Sequence, residues 1–343
     1  MKAIRRGFRM TGPGQLEAFE APLTPARPGW TWIEVLGCGV CHTDLGYLYD
    51  GVATAAPNLV LGHEIVGREV GTERLVLVPA VSPCGECLAC RRGRRTSCSA
   101  ALMPGNHHDG GFASHVEVPA RYLCDVPALP AHIPPWQLAV IADAVTTPLQ
   151  ALRRAHVAAG EPVVIVGAGG VGGFAVALAH ALGAVPAALD IDPRRLEAAT
   201  RRGALATFDA SHPPRELRSK LAAAFKARNL PSEGWHILEC SGSPAGQALA
   251  FGLLTRGATL SIVGFTAKPV ELRLSNLMAF DAEAYGNWGA DPLIYPEALA
   301  LVLDGKVELA SAVQRFPLSD APSVLAAVQR HEVEGRAVLV PNA

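Results

Sequence analysis

The order of apolar and polar residues predicts two kinds of folded unit along the chain. From residue 1 to about 36, apolar and polar positions alternate between glycines and prolines, as in TWIEVLG (31–37), and FASHVEV (112–118) repeats the pattern. Such alternation is typical of half-buried strands, so we predict a β-rich unit there. From about 144 to 288, short apolar runs alternate with helical stretches. That rhythm predicts an α/β fold with a doubly wound parallel sheet.

A glycine-rich turn joins the first apolar run of the predicted sheet to a stretch with helical character. Gly167, Gly169 and Gly172 match G-x-G-x-x-G after the run VVIV (163–166). Glycines there let backbone N–H groups and the helix dipole approach a diphosphate. Eighteen residues after Gly172, Asp190 closes the next apolar run, where a carboxylate can bind the ribose of NAD. A glycine turn without a ligand is the alternative, but the strand, the helix and the acid favour a Rossmann site. Its turn residues are Gly167, Gly169, Gly170, Val171 and Gly172.

Further cofactor contacts are predicted at the carboxyl ends of the later strands, because the ligand of an open parallel sheet lies across those ends. Asp190 should repel the 2′-phosphate of NADP, although Arg194 and Arg195 follow closely and can offset this repulsion. The sequence therefore predicts NAD as the cofactor. The candidate lining residues after the later strands are Cys240, Ser241, Val263, Gly264 and Phe265.

Composition limits the possible partners and compartments. The chain has 343 residues, enough for two domains, with 50% hydrophobic and 18% charged residues and a formal net charge of −1. A nearly neutral chain offers no electrostatic case for nucleic acid or acidic membranes. The N-terminal MKAIRRGFRM has no apolar signal segment, and no apolar run of about 18 residues predicts a membrane helix. We therefore expect a cytoplasmic protein.

Four of the eight cysteines predict a structural metal site. Cys84, Cys87, Cys90 and Cys98 follow the spacing C-x2-C-x2-C-x7-C. Four thiolates fill the tetrahedral shell of one zinc ion and leave no position for a substrate. The arginines within 91–95 raise the alternative of a zinc knuckle that binds nucleic acid. The neutral chain and the absence of interleaved aromatic residues favour a solvated face instead.

The segment around Cys38 and Cys41 has two interpretations. The C-x-x-C spacing suits a redox pair, but no thioredoxin-like βαβ pattern surrounds it. Alternatively, Cys41 and His63 bind a zinc ion that takes a third protein ligand and keeps its fourth position open for catalysis. Asp143 is the candidate third ligand. An N-cap for the helix that follows explains the same residue equally well.

These motifs together resemble the zinc-dependent medium-chain alcohol dehydrogenases over essentially the whole chain. The resemblance is carried by CGVCHTD (38–44), GHE (62–64), the four-cysteine segment, DGGFASH (109–115), VTT (145–147) and GAGGVG (167–172) with Asp190. It implies a GroES-like catalytic domain made of residues 1–143 and 289–343, and a Rossmann NAD-binding domain at 144–288. It also implies two zinc ions per chain and a homodimer or homotetramer.

The same resemblance implies a role for individual residues. Cys41, His63 and Asp143 would bind the catalytic zinc, with Asp143 standing where many relatives have cysteine. Gly46 occupies a position where the family's proton relay often has histidine, which leaves the proton's exit route open. The remaining roles are Thr43 as acceptor of the substrate proton, Asp44 as the residue that orients His63, Glu64 near the metal, His42 near the pyrophosphate, Thr147 by the nicotinamide and Arg336 on a phosphate.

A narrower resemblance, to dehydrogenases of a cyclic hydroxyacyl-CoA thioester, is carried by longer shared words. These include CHTDLGYLYDGV (41–52), PGNHHDGGFASHVEVPA (104–120) and LSNLMAFDAEAYGNWG (274–289). It implies that NAD+ oxidises a ring hydroxyl to a conjugated ketone. We assign the arginines of 91–95 and the loop of His107 and His108 to the CoA or acyl end, although the residues themselves predict exposed loop histidines. The alternatives are a zinc dehydrogenase for an alcohol without CoA, and a non-catalytic zinc-bearing redox regulator.

Overall fold

The computed structural model describes residues 4–341, which form two compact units. The first unit contains the chain up to Thr146, Gly289–Leu303 and the residues from Glu308 onwards; the second contains Thr147–Trp288 and Asp304–Val307. The first boundary thus lies three residues after the predicted one, and the four residues 304–307 belong to the second unit.

The chain contains fifteen strands and ten α-helices over residues 4–341. The strands are β1 (Ile4–Gly12), β2 (Gln15–Pro22), β3 (Trp30–Gly39), β4 (Glu64–Glu69), β5 (Leu75–Val78), β6 (His115–Pro119), β7 (Cys124–Asp125), β8 (Pro162–Val166), β9 (Val185–Asp190), β10 (Ala206–Asp209), β11 (His236–Glu239), β12 (Thr259–Ile262), β13 (Glu283–Gly286), β14 (Val313–Pro317) and β15 (Arg336–Val340). The helices are α1 (His42–Tyr49), α2 (Leu88–Arg91), α3 (Thr146–Arg154), α4 (Gly170–Ala181), α5 (Pro193–Arg201), α6 (Pro214–Lys226), α7 (Pro244–Gly252), α8 (Ser275–Phe280), α9 (Tyr295–Leu303) and α10 (Ala321–Gln329). Short 3₁₀ helices cover Arg95–Ser97, Pro135–Ala142, Pro292–Ile294 and Leu318–Asp320.

A seven-stranded sheet organises the first unit. Six strands follow the order β14-β15-β3-β4-β5-β7, and β6 pairs with β3; a separate hairpin joins β1 to β2. The predicted strand TWIEVLG lies within β3, where Ile33 and Val35 are buried between less buried neighbours. Strand β15 pairs antiparallel with β3, so Val338 lies opposite Gly39. The last part of the described chain therefore completes the sheet begun by the first part.

The second unit contains a six-stranded parallel sheet in the order β10-β9-β8-β11-β12-β13. Counted within the unit, this order is 3-2-1-4-5-6, the arrangement of a dinucleotide-binding sheet. All five residues of β8 are buried, as a central parallel strand with both faces covered requires. The direction of winding reverses between β8 and β11, so a crevice opens at the carboxyl ends of these two strands.

No helix within residues 4–341 is long and apolar enough to cross a lipid bilayer.

Candidate functional site

The start of helix α1 positions the first group of predicted site residues. Cys41 is the N-cap of the helix, and its backbone N–H donates a hydrogen bond of 2.9 Å to Asp44 Oδ2. The other oxygen, Asp44 Oδ1, accepts a hydrogen bond of 3.1 Å from Gly62 N. It also lies 3.3 Å from His63 Nδ1, and this second contact has the geometry of an ion pair and not of a linear hydrogen bond. Asp44 is fully buried. It therefore fixes the His63 ring so that Nε2 points away from the helix toward other groups.

Those other groups form a cluster that we call the mixed-ligand cluster: Cys41, His63, Glu64 and Asp143. One ligand atom from each residue lies within 4.8 Å of the ligand atoms of the other three. His63 Nε2 is 3.6 Å from Asp143 Oδ2, and Cys41 Sγ is 3.9 Å from the same oxygen. Helix α3 begins only at Thr146, three residues after Asp143. The geometry therefore favours the metal-ligand interpretation of Asp143 over the helix N-cap.

Glu64 has a partner of opposite charge. Arg336 Nε donates to Glu64 Oε2 over 3.1 Å, the Arg336 Nη2 group contacts Glu64 Oε1, and both side chains are buried. A Cβ atom on Gly39, which lies opposite Glu64 in the sheet, would overlap the carboxylate. The absence of a side chain at position 39 thus makes room for the pair. Arg336 Nη2 also lies 3.9 Å from Asp143 Oδ2. The observed partners of Arg336 are thus two carboxylates, and its contact with a phosphate of the cofactor stays a prediction.

The charges of this region call for a cation. The region contains four acidic groups, which are the carboxyl groups of Asp44, Glu64 and Asp143 and the thiol of Cys41. Arg336 contributes a permanent positive charge, which contacts Glu64 and lies near Asp143. Burial opposes protonation of His63, but the nearby carboxylates of Asp44 and Asp143 and the thiol of Cys41 outweigh it and raise the pKa of His63. The same acidic groups favour a divalent cation. One thiolate, one imidazole and one carboxylate form a donor set that suits zinc and leaves one position open.

The predicted proton acceptor lies next to the mixed-ligand cluster. Thr43 Oγ1 is 3.6 Å from Cys41 Sγ, and Thr43 is partly exposed. His42 is exposed at the start of α1, and its ring stacks on His331 with centroids 5.8 Å apart. Cys38 is buried and its thiol contacts Gly39 O at 3.7 Å, while burial raises its pKa. A redox pair of Cys38 with Cys41 receives no support, because only Cys41 belongs to the cluster.

The four predicted structural cysteines form a second cluster, the four-cysteine cluster. The sulfur of Cys84 lies 4.0 Å from that of Cys90 and 3.5 Å from that of Cys98, and the sulfur of Cys87 lies 3.5 Å from Cys90 and 3.8 Å from Cys98. Four thiolates at about 2.3 Å from one zinc ion are separated by about 3.8 Å, so the sulfurs fit that ion and are too far apart for disulfides. Hydrogen bonds from backbone N–H groups of Glu86 and Cys87 lower the pKa of Cys84 to about 6, which favours the thiolate.

Two arginines of the four-cysteine segment have protein partners. Arg91 donates a hydrogen bond of 2.8 Å to the backbone oxygen of Glu86, and Arg95 forms an ion pair of 3.0 Å with Asp291. Arg92 and Arg94 are exposed. Arg91 is exposed as well, so the solvated face predicted for this segment contains Arg91, Arg92 and Arg94, whereas Arg95 is partly buried.

The expectation that His107 and His108 are exposed loop residues is wrong. His108 is only 7% exposed, packs edge-on against Trp30 with centroids 4.9 Å apart, and contacts Asp109 O through Nδ1 at 2.9 Å. Burial lowers its pKa to about 4. His107 is partly buried, and its Nδ1 accepts a hydrogen bond from Met103 N. His108 thus packs on a residue of a distant strand that the local sequence does not reveal, whereas His107 is hydrogen-bonded within its own loop.

The glycine turn after β8 has the backbone that its motif requires. Gly167 has φ +87°, which a side chain disfavours, and a Cβ atom on Gly172 would overlap the carbonyl oxygen of Gly167. Gly169 is the N-cap of α4, which begins at Gly170. The first helical N–H groups therefore point out of the turn and can receive an anion.

Asp190 supports that turn from the end of the neighbouring strand. Its Oδ2 accepts a hydrogen bond of 2.7 Å from Ala168 N, and its Oδ1 accepts one of 2.9 Å from Asp192 N. Arg195 Nη1 lies 3.7 Å from the Asp190 carboxylate. The acid thus lies beside the glycine turn, where the predicted ribose contact needs it.

The remaining predicted cofactor residues lie after β11 and β12 or at the start of α3. Ser241 follows β11 and hydrogen bonds through its backbone N–H and its hydroxyl to Glu239, a residue that the sequence reading missed. An acid closing an apolar strand at the point where the sheet reverses is the signal that could have found it. Val263 and Gly264 are partly buried, Phe265 is 72% exposed, and Thr147 is 6% exposed.

Comparison with known proteins agrees with this geometry. The alcohol dehydrogenase GroES-like domain matches residues 27–128, and the zinc-binding dehydrogenase domain matches residues 170–304. L-threonine 3-dehydrogenase of Streptomyces avermitilis is 30% identical over 321 residues, 88% of each chain. The chain belongs to the zinc-binding dehydrogenase family. L-galactonate-5-dehydrogenase of Escherichia coli is 28% identical over 285 residues, 80% of each chain. The alcohol dehydrogenase of Aeropyrum pernix gives a TM-score of 0.86 at 27% identity, over 98% of this chain and 100% of its own.

Membership of the zinc-binding dehydrogenase family confirms the predicted class of fold and of enzyme. The protein combines a GroES-like unit with a Rossmann unit, and it is an NAD(P)-dependent oxidoreductase acting on CH–OH groups. Zinc is the metal of this family, and both clusters have donor sets that suit it. The roles of the individual residues stay predictions.

Proposed function

We propose that this zinc-binding dehydrogenase uses NAD+ to oxidise a cyclic secondary alcohol to the ketone, and that Cys41, His63 and Asp143 bind its catalytic zinc. The mixed-ligand cluster is the observation that carries the proposal, because it offers three donors of the right kind beside a partly exposed hydroxyl group. A site with one open position can bind a substrate, whereas the four-cysteine cluster uses all its sulfurs on the metal.

When bound, zinc supplies a Lewis acid that acidifies the substrate hydroxyl, and NAD+ supplies the hydride acceptor. The chain's own residues orient the proposed zinc ligand His63 and neutralise the buried charge of Glu64. Asp44 holds the His63 ring, and Arg336 holds Glu64. The hydroxyl group of Thr43 accepts the proton of the substrate. Gly46 has no side chain that could carry this proton further, and Thr43 is partly exposed. We therefore propose that the proton passes from Thr43 to water.

We propose NAD+ rather than NADP+ as the physiological cofactor. The Asp190 carboxylate is ordered by two backbone N–H groups, and it places a negative charge where the 2′-phosphate of NADP+ would lie. Arg195 lies 3.7 Å away and reduces this repulsion, but Arg194 is paired with Asp192. The carboxylate therefore decides the preference.

We further propose 6-hydroxycyclohex-1-ene-1-carbonyl-CoA as the substrate and 6-oxocyclohex-1-ene-1-carbonyl-CoA as the product, in anaerobic benzoyl-CoA degradation. The support is the resemblance of long sequence words in both units to 6-hydroxycyclohex-1-ene-1-carbonyl-CoA dehydrogenase. The burial of His108 removes its ring as a direct contact for CoA, and the ring of the partly buried His107 is hydrogen-bonded to Met103 of its own loop. Arg92 and Arg94 are exposed and remain our candidates for the phosphates of CoA.

Paired substrates test the proposal. Turnover with NAD+ is measured on the CoA thioester, on the free acid and on cyclohexanol, with zinc content determined on the same sample. We expect kcat/KM for the thioester to exceed that for the free acid at least about 100-fold, the effect of roughly 3 kcal/mol of binding free energy. Equal values would replace the CoA substrate by a plain cyclic alcohol. No turnover on any of the three by protein with two zinc ions would contradict the proposal itself.

We also propose a homodimer or homotetramer in the cytoplasm. Leu274 and Met278 of the α8 region are 66% and 79% exposed, near the edge strand β13, which suits a contact with a second copy. The eight cysteines form no disulfide, as a reducing compartment would require. Light scattering on the wild type and on Met278→Asp tests the contact. A lower mass for the variant is expected, and an unchanged mass would contradict this surface.

A further inference from the structure

Glu239 is a buried acid that no step of the proposed mechanism uses. It closes β11, which lies between β8 and β12 in the second unit, and its side chain is fully buried. Its Oε1 accepts a hydrogen bond of 2.8 Å from Ser241 N and another from the Ser241 hydroxyl. Its Oε2 is buried without a hydrogen-bond partner among residues 4–341. A buried polar atom left unpaired costs about 1–3 kcal/mol, so this position needs an explanation.

The surroundings of Glu239 connect two loops. Its backbone oxygen accepts hydrogen bonds of 2.9 Å from both Val263 N and Gly264 N, which follow β12. A Cβ atom on Gly264 would lie 2.8 Å from Glu239 Oε2 and would overlap Gly242 N. The side chain of Glu239 therefore holds the turn after its own strand, and its backbone holds the turn after the next strand.

The two loops belong to one half of the nucleotide-binding sheet. A sheet of this order consists of two mononucleotide-binding halves that share a dinucleotide across the point of reversal. Asp190 and the glycine turn lie in the half made by β8, β9 and β10, which takes the adenosine. The loops held by Glu239 follow β11 and β12, in the half that remains for the nicotinamide nucleotide.

The charge state of Glu239 matches a structural role. Burial raises the pKa of Glu239, whereas the hydrogen bonds from Ser241 and the nearby backbone N–H of Gly242 lower it, and burial has the larger effect. A carboxyl group with a raised pKa can hold its neighbours by hydrogen bonds without placing a full negative charge in the sheet. Glutamine has the same shape and retains the Oε1 acceptor, so it should serve nearly as well.

We propose that Glu239 is a positioning residue for the cofactor. Its carboxyl group holds the turn at Ser241 and its backbone carbonyl holds Gly264, and together these turns form the arrangement that binds the nicotinamide half of NAD. This inference rests on the NAD-binding function proposed above. Glu239 itself is not a cofactor ligand, because its side chain is buried beneath the turns that it organises.

The test compares binding of NADH and of AMP, which carries only the adenosine half. Glu239→Ala should weaken NADH binding at least about tenfold, measured by fluorescence titration, and change the Kd of AMP less than twofold. Glu239→Gln should bind NADH within about threefold of the wild type. Glu283→Gln, which changes an exposed acid on β13, is the matched control and should leave both affinities unchanged. Steady-state kinetics should show the KM for NAD+ rising more than kcat falls in Glu239→Ala.

Three results would contradict the positioning role of Glu239. Unchanged NADH binding by Glu239→Ala, equal weakening of AMP, or a Gln variant as weak as the Ala variant would overturn it. If Glu239→Ala does not fold, Ser241→Ala removes only the hydroxyl half of the contact and should weaken NADH binding about threefold, and unchanged binding there would also overturn it. Failure of the wild type to bind NADH would instead contradict the proposed cofactor.

Discussion

The two metal clusters of the first unit differ in how far apart their ligands lie in sequence. The four-cysteine cluster takes its sulfurs from one segment between Cys84 and Cys98, which depends little on the rest of the chain. The mixed-ligand cluster joins Cys41 to Asp143, 102 residues later, and its Glu64 is paired with Arg336, 272 residues later. The first cluster stabilises a local loop, whereas the second forms only when the whole unit has folded. Loss of a ligand should therefore affect stability in one cluster and chemistry in the other.

Asp143→Ala is expected to have the largest effect. Without this carboxylate the mixed-ligand cluster loses a zinc donor, so the protein should contain one zinc ion per chain instead of two and lose at least about 1000-fold in kcat, roughly 4 kcal/mol of transition-state stabilisation. Zinc content by mass spectrometry and turnover on one sample measure both. Asp143→Cys keeps an anionic ligand and should retain two zinc ions. Full activity in the Ala variant would remove Asp143 from the ligand set.

Cys87→Ser should alter stability more than chemistry. The variant should lose the structural zinc and melt about 10 °C lower, which corresponds to roughly 3–5 kcal/mol for a unit of this size. Scanning calorimetry measures the difference. Cys124→Ser is the matched control, because Cys124 is a buried cysteine of β7 outside both clusters, and burial raises its pKa to about 11. Equal melting of the Cys87 variant and the wild type would mean that the four cysteines bind no metal.

Arg336→Met tests the ion pair that only the mixed-ligand cluster has. Glu64 would remain buried without a partner of opposite charge, which costs about 3–5 kcal/mol. The double variant Glu64→Gln with Arg336→Met removes both charges and should recover most of that loss. Urea denaturation of the zinc-loaded proteins gives the free energies of unfolding. A double variant as unstable as the single one would show that the pair itself does not explain the loss.

Asp190→Asn should have the smallest effect and should leave both metal clusters intact. The amide oxygen can still accept a hydrogen bond from Ala168 N, but the negative charge is lost, so the preference for NAD+ over NADP+ should fall about tenfold, or 1.4 kcal/mol. Asp209→Asn is the matched control, since Asp209 lies directly opposite Asp190 at the end of β10. The ratio of kcat/KM with NAD+ to kcat/KM with NADP+ measures this preference. An unchanged ratio in Asp190→Asn would mean that residues other than Asp190 determine it.

Features defined by neighbouring residues could be predicted from the sequence. The glycine turn, Asp190 after the next strand and the four-cysteine segment each lie within one short stretch, and the structure places them together as expected. The apolar runs predict the doubly wound parallel sheet, but not that it has six strands. Its short strands β10 and β13 escaped notice, because ATFD and EAYG are four-residue segments that are only partly buried.

Features that depend on distant contacts could not be predicted from the residues alone. The sequence around Asp143 fits a helix cap as well as a metal ligand, and it does not reveal that this carboxylate lies 3.6 Å from His63 Nε2. The burial of His108 depends on Trp30, which lies far away in sequence. The sequence shows that Glu239 ends an apolar strand, but it does not show that this residue hydrogen-bonds both Ser241 and Gly264. In each case the missing information was a tertiary neighbour.

The place of β15 beside β3 has a consequence for biosynthesis. Arg336 leaves the ribosome 272 residues after Glu64, a delay of roughly 14–54 s at ordinary elongation rates. Strands β8 to β13 are contiguous in sequence and can assemble during that interval. Strand β3 meanwhile has β4 and β6 but still lacks β15, and Glu64 lacks its counter-ion. The part of the enzyme that is synthesised first is thus the last to mature.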